Sequence, residues 1–254
     1  MMFKSMSKQF TANSRPIPIL VYHQIATAPP KGRPFRSLYV APESFARQMA
    51  WLARFGYLGL SMSALQPYLK GDKAGKVVGI TFDDGYVNNL SHALPTLTKY
   101  GFSSTCYAVS ALLGQTNAWD AGIGIGQTPL MNEVQLRQWV GGGQEVGSHT
   151  RLHTDLTASD KENSFFEIAG GKSELEAVLQ KPVKHFCYPY GRYQPEHIDL
   201  VDDAGFVTAT TTQRSRCHAQ TDMLELPRVP VLRSTSLPVF WLKIATAYED
   251  SRKK

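Results

Sequence analysis

The sequence predicts an α/β fold whose parallel strands close, or nearly close, into a barrel. Three observations lead there. Short apolar strand candidates alternate with amphipathic helix candidates along the 254 residues, the pattern of a parallel sheet with crossover helices. Seven or eight such units fit a barrel. No GxGxxG follows the first strand, which removes the commonest reason to prefer the runner-up, a doubly wound open sheet. The chemically unusual residues also fall just past the C-terminal ends of strands, where barrel enzymes gather their catalytic groups.

Each element has a local cause. Ile17 to Tyr22 is an apolar strand. The helix from Pro42 to Phe55 carries Phe45, Met49 and Leu52 at helical spacing and stops at Gly56. Tyr57 to Leu60 is a weaker strand and Lys76 to Phe82 a strong one. A helix from Asn89 to Tyr100 ends at Gly101, and Pro95 bends it or marks a late start. After strand Ser103 to Val109 comes a glycine-rich loop, Ser110 to Leu130, containing Trp119-Asp120. A loop of that length inside a domain is usually functional. Asn132, with Gln135 three residues on, caps the next helix, which Gly141-Gly142-Gly143 ends. There follow strand Gln144 to Ser148, helix Ser159 to Gln180, strand Val183 to Tyr188, helix Pro195 to Ala204, strands Phe206 to Thr211 and Leu226 to Leu232, and a closing helix, Leu237 to Tyr248. One domain over 16–250 is expected, preceded by a flexible tail at 1–15.

Composition bounds the function. Hydrophobic content of 43% and charged content of 19% describe an ordinary globular chain. The net charge of +6 is partly terminal and partly in a loop with Lys31, Arg33 and Arg36. It serves solubility, or gives weak attraction to anionic surfaces. No interleaved basic-aromatic pattern points to nucleic acid. No apolar run approaches the ~20 residues that span a bilayer. Met1 to Arg15 lacks the apolar segment of a secretory signal, which reads as cytoplasmic, or as periplasmic or extracellular if a leader is missing. Cys106, Cys187 and Cys217 are too scattered for a disulfide framework and read as buried, inert thiols.

The most informative stretch is Thr81-Phe82-Asp83-Asp84-Gly85-Tyr86. Adjacent carboxylates at the end of a buried strand are costly unless something compensates them. A metal ion would, and His149 and His153 supply matching ligands at the end of another strand. An Asp with two His makes a three-ligand site with room for water, the plan of catalytic metal centres. His23, Pro189-Tyr190-Gly191 and Arg228 belong to other strand ends or strands of the same set. Trp119 is a loop packing residue or a platform for a sugar ring.

These residues resemble the polysaccharide deacetylase family (NodB homology, carbohydrate esterase family 4). The resemblance rests on Thr81-Phe82-Asp83-Asp84-Gly85, on His149-Thr150 with His153, and on Tyr188-Pro189-Tyr190-Gly191. Tyr22-His23, Trp119-Asp120 and Leu226-Pro227-Arg228-Val229 agree with it. It covers about 17–245 and implies a distorted (β/α)7-8 barrel. Within the family the chain is most similar to the poly-β-1,6-N-acetylglucosamine deacetylase branch. Cys187 stands where many members have arginine, Arg228 where many have a catalytic histidine, and His23 offers an early histidine instead.

The resemblance implies metal-dependent removal of N-acetyl groups from N-acetylglucosamine-type residues of a polysaccharide or oligosaccharide. Asp84, His149 and His153 would be the metal ligands, with Asp83 as general base and His23 as general acid. The backbone N–H of Tyr190 would stabilise the oxyanion. Trp119, Asp120, Tyr188 and Arg228 would contact substrate, and Thr150 would support the histidine loop. Zinc suits the ligands best; nickel, cobalt and iron are compatible. Arginine is effectively always protonated, so His23, with an unperturbed pKa of ~6.5, is the expected acid. The alternatives are a deacetylase or deformylase of a small or carrier-linked amino sugar, and a non-catalytic glycan-binding relic.

Overall fold

A computed structural model describes residues 15–252. The expected tail over 1–15 therefore lies outside the described residues except for Arg15, whose guanidinium donates to Tyr57 Oη at 2.8 Å. In chain order the elements are β1 (Ile19–Tyr22), β2 (Gln24–Ile25), β3 (Tyr39–Val40), α1 (Pro42–Arg54), β4 (Leu58–Leu60), α2 (Met62–Leu69), β5 (Val77–Phe82), α3 (Leu94–Tyr100), β6 (Thr105–Ala108), α4 (Glu133–Gly141), β7 (Glu145–Ser148), α5 (Lys161–Leu179), β8 (His185–Cys187), α6 (Pro195–Asp203), β9 (Thr208–Arg214), β10 (Leu226–Pro230) and α7 (Leu237–Ala245).

Seven parallel strands form a closed ring in the order β1-β10-β9-β8-β7-β6-β5, and β5 returns to β1 through the pairs Ile19↔Gly79 to Tyr22↔Phe82. That pairing rules out the open sheet. β4 pairs only with the first half of β5, Val77 to Gly79, and β6 takes over the same edge at Thr81 and Phe82. One strand thus contacts three others. β2 and β3 pair separately, beyond the C-terminal end of β1.

The helices lie where their apolar faces predict. α1 buries Phe45, Gln48, Met49 and Leu52. Asn132 and Gln135 cap α4 reciprocally at 2.9 Å each. Pro95 sits in the first turn of α3, behind a π-helical turn over Asn89–Ala93, so the proline marks a start and not a bend. Its missing N–H costs nothing there. β8 is shorter than expected: Val183 and Lys184 precede it, and after Cys187 the chain leads through Tyr188 into a 3-10 turn over Pro189–Gly191. α2 is an addition: Ser61 caps it and Met62 and Leu65 are buried.

A helix-facing core includes Leu20, Phe45, Phe82, Trp139, Phe186 and Phe240. Inside the ring, Ile19, Tyr107, Cys187, Cys217 and Leu226 fill a second cluster. Gly147 leaves space for Tyr107: a Cβ there would meet the ring at 2.4 Å. All three cysteines are buried and free. No helix of the described residues is long and apolar enough to cross a membrane.

Candidate active site

The β5 exit carries both carboxylates into the ring. Asp83 N–H donates to Tyr22 O at 3.0 Å, so β1 fixes where the carboxyl begins. Both Asp83 oxygens are held by Arg228, Nη1 to Oδ1 at 2.7 Å and Nη2 to Oδ2 at 2.8 Å. The arginine is 1% exposed and also donates to Thr211 O (2.8 Å), Thr81 Oγ1 (3.2 Å) and Cys187 Sγ (3.2 Å). Burial works to raise the Asp83 pKa, but the guanidinium outweighs it and holds the group below the ordinary carboxylate range. Asp83 in turn raises the arginine's pKa against its burial.

Asp84 turns the other way. Its φ of 73° is left-handed, as are those of Thr150 (64°), His153 (60°) and Tyr190 (58°). Such conformations cost of order 1–3 kcal/mol each and cluster at functional sites. His149 Nε2 lies 3.5 Å and His153 Nε2 3.4 Å from Asp84 Oδ1. Burial raises the Asp84 pKa, yet the two imidazoles bring it well below the usual range.

The donor chemistry fits a divalent cation. His149 Nδ1 is 2.7 Å from Cys187 O, and a carbonyl only accepts, so Nδ1 carries the proton. Without a second proton on Nε2, the ring turns a lone pair toward a carboxylate that also only accepts. Two acceptors face each other unless a proton or a metal ion lies between them. The orienting bond is of the kind that metal-ligating histidines make. His153 Nδ1 has no partner among the described residues. A second group, Asp83, His149 and Cys187, also converges, but there the Asp83 oxygens are occupied by Arg228.

The histidine loop is tied down from several sides. Thr150 Oγ1 accepts from Thr154 N–H at 3.2 Å. Glu167 of α5, 2% exposed, accepts from the N–H groups of Arg151 (3.0 Å) and Leu152 (2.9 Å). Ser110 N–H and Ala111 N–H bond the carbonyls of Thr150 and Arg151. The His153 ring stacks on Trp119 at 4.4 Å and meets Tyr190 edge-on at 4.6 Å.

A cavity of about 370 Å³ opens over these groups. His23 lies on its wall with Nε2 3.9 Å from Asp83 Oδ2, and its carbonyl is held by Asn89 Nδ2. Trp119, Asp120, Tyr188, Tyr190 and Arg228 all line it. Burial, partly opposed by Asn117, raises the Asp120 pKa. Tyr188 is fully buried, with its hydroxyl on Leu224 O at 3.2 Å. All eleven residues singled out from the sequence therefore belong to this cavity or its support.

Other contributors were not anticipated. The Tyr86 phenol faces Asp84; burial and that carboxylate raise its pKa and keep it protonated. Its position directly after Asp83-Asp84-Gly85 was the available signal. Phe35, Leu38 and Tyr39 from one loop and Ile123 and Ile125 from the other form apolar walls. The second of these loops is the one whose length pointed to function; the first drew notice only for Lys31, Arg33 and Arg36. Glu167 carries no sequence signal, since a glutamate on a helix is ordinarily solvated.

The model of the family described as polysaccharide deacetylase matches residues 70–209. YxkH of Bacillus subtilis (strain 168), which bears a polysaccharide deacetylase designation, is 29% identical over 239 residues, covering 93% of this chain and 77% of its own. The poly-β-1,6-N-acetyl-D-glucosamine N-deacetylase of Staphylococcus epidermidis is 24% identical over 205 residues, covering 76% and 68% respectively. Among solved structures, the Streptococcus pyogenes deacetylase PplD in complex with acetate has a TM-score of 0.80 and 25% identity, covering 91% of this chain and 99% of that one. The family match takes in the metal-ligand candidates, Asp83 and Tyr190, while His23 and Arg228 lie outside it.

Proposed function

Because the chain belongs to the polysaccharide deacetylase family, hydrolases that act on acetylated carbohydrates, we propose that it removes N-acetyl groups from N-acetylglucosamine-type residues of a glycan in a metal-dependent reaction. The observation that carries this reading is the division of the carboxylate pair: Asp84 faces His149 and His153, whereas Asp83 faces Arg228 and His23. The name of the S. epidermidis relative supports the choice of sugar. Acetate, held by PplD, is the acid product of such a hydrolysis.

Asp84, His149 and His153 would hold the ion, zinc by the donor set. When bound, such an ion supplies Lewis-acid polarisation and a water acidic enough to react near neutrality. Asp83 takes the proton of the attacking water. Arg228 lowers its basicity but fixes both oxygens, trading proton affinity for position. The backbone N–H of Tyr190 donates to the developing oxyanion, a contribution worth ~2.7–4 kcal/mol in well-studied cases. His23 protonates the departing amine, which would otherwise leave as an anion. Its Nε2 is close enough to Asp83 for acid and base to serve one amide. Arg228, expected at the substrate, acts through Asp83 as a positioning residue. Trp119 and Asp120 form the wall that receives the sugar, and Tyr188 shapes the floor through its buried ring.

The test measures acetate and formate released from N-acetylglucosamine oligomers and from short acetylated or formylated amino sugars, alongside metal content. The wild type should release acetate from the oligomers. Asp83→Asn should keep its metal and lose acetate release. A variant that keeps most activity would remove Asp83 from the role of base, and formate release in place of acetate would replace the substrate assignment.

A further inference from the structure

The exit of β10 borders a second cavity that the reaction above does not use. Pro230 and Leu232 line the main cavity. Arg233, Thr235 and Ser236, a few residues on, line a separate one of about 400 Å³ with Ser44, Arg47 and Gln48 of α1. No carboxylate lines it. Arg47 and Arg233 are exposed and, among the described residues, pair with no acid: Arg47 Nη2 donates to Ser44 Oγ at 3.0 Å, and Arg233 is anchored through its backbone N–H to Ser37 O at 2.8 Å.

The floor is more telling than the rim. Gln48 is 1% exposed, and its Oε1 accepts from Tyr22 Oη at 2.9 Å. Tyr22 is wholly enclosed, and its hydroxyl is the donor in that bond. The Gln48 Nε2 is left for the cavity, with no acceptor among the described residues. The Thr235 hydroxyl already accepts from Leu232 N–H at 3.0 Å, which leaves its proton to give outward. α7 begins at Leu237, which lines the cavity beside Ser236; the Ser236 side chain makes no cap bond, and Pro238 leaves the N–H groups of Leu237 and Val239 as the first-turn donors. Two guanidinium groups, an amide, hydroxyls and a helix N-terminus all present donors to one space.

We propose that this cavity binds an oxyanion of the phosphate class, either inorganic phosphate or a phosphate ester carried by the glycan or its carrier. Paired guanidinium forks suit the several oxygens of a phosphate. An ester there would lie beside the Pro230–Arg233 segment while its sugar occupies the main cavity. The ester arm rests on the sugar reading above; the anion site does not.

Calorimetric titration of the full chain at low salt with inorganic phosphate provides the test. The wild type should give a saturable isotherm that weakens as chloride rises. The double variant R47Q/R233Q should bind about tenfold more weakly or worse, as expected for losing charge-assisted bonds. Arg137→Gln, on α4, should bind as the wild type does. N-acetylglucosamine 6-phosphate binding tighter than inorganic phosphate would mark the site as reading a phosphorylated sugar, and equal affinity would mark it as taking the free ion. Absence of saturable heat, or heat that survives R47Q/R233Q, overturns the proposal. The second of those results would place the anion elsewhere on the molecule. Neither outcome bears on acetate release, so the two proposals fail separately.

Discussion

Replacing Arg228 with methionine removes the countercharge of Asp83 and leaves its volume largely filled. In the wild type the arginine is 1% and Asp83 4% exposed, and two bonds of 2.7 and 2.8 Å join them. Breaking a buried ion pair from one side costs ~3–5 kcal/mol, because the remaining charge stays desolvated and unpaired. Thr211 O and Cys187 Sγ lose their donor as well, which places R228M in the upper part of that range. With a guanidinium m-value of roughly 5 kcal/mol/M for a chain of this size, a loss of ~4 kcal/mol moves the unfolding midpoint down by about 0.8 M. The double variant D83N/R228M removes both charges and should recover much of the loss, since a buried pair replaced on both sides is often nearly neutral. Guanidinium unfolding followed by circular dichroism on wild type, both single variants and the double variant closes the cycle. A loss below ~1 kcal/mol in R228M, or strictly additive single losses, would show that the two groups do not depend on each other and refute the reasoning.

Other outcomes follow from the same geometry. His23→Ala should slow acetate release while leaving metal content unchanged; loss of bound metal would make His23 a ligand instead. Gly191→Ala should impair turnover severely, because φ is +66° and a new Cβ would lie 1.9 Å from Thr212 Oγ1. Its neighbour Tyr190 must then shift, and undiminished kcat would count against the Tyr190 N–H as an oxyanion donor. Glu145, at the opposite end of the ring, bears on acid stability. Burial opposes its charge, but His185, Ser63 and Thr105 outweigh that and bring its pKa from 4.5 down to about 2. A carboxyl lowered on folding stabilises fully above its unfolded value and loses that contribution as pH falls toward the folded one, here on the order of 3 kcal/mol. Glu145→Gln should therefore flatten the stability curve between pH 5 and 2, measured by denaturant midpoints; parallel curves for variant and wild type would exclude Glu145 as the cause.

What the sequence made legible was whatever is local. Asp83-Asp84 after a run of Val and Ile, and His149 and His153 after a short strand, announce themselves because a buried strand end seldom carries such groups without a purpose. The helix spacing of Phe45, Met49 and Leu52 and the Asn132–Gln135 cap are equally local, and both appear in the fold. Long-range choices were not legible. Arg228 could have pointed either way, and only the register of β10 against β1, Leu20↔Val229, turns it inward onto Asp83, 145 positions earlier in the chain. Ring closure likewise depends on β1 finding β5. α2 escaped notice because Pro67 interrupts it and its eight residues bury only Met62 and Leu65. Trp119 could be placed on its loop but not against His153, since a loop's course follows from packing and not from periodicity.

The strand that seals the ring also sets the order in which the site can exist. A chain made from its N-terminus presents β1, β4 and β5, and with them Asp83, long before β10 emerges. Until Arg228 arrives, Asp83 has no countercharge and stays hydrated, because burying it alone is too costly. The gap between β1 and β9 keeps it open to water during that interval. Domains fold as units during synthesis, and here the final strand supplies both the missing wall and the missing cation. A nascent chain stopped before Leu226 would hold Asp83, Asp84, His149 and His153 in sequence, yet lack the desolvated setting that brings them together.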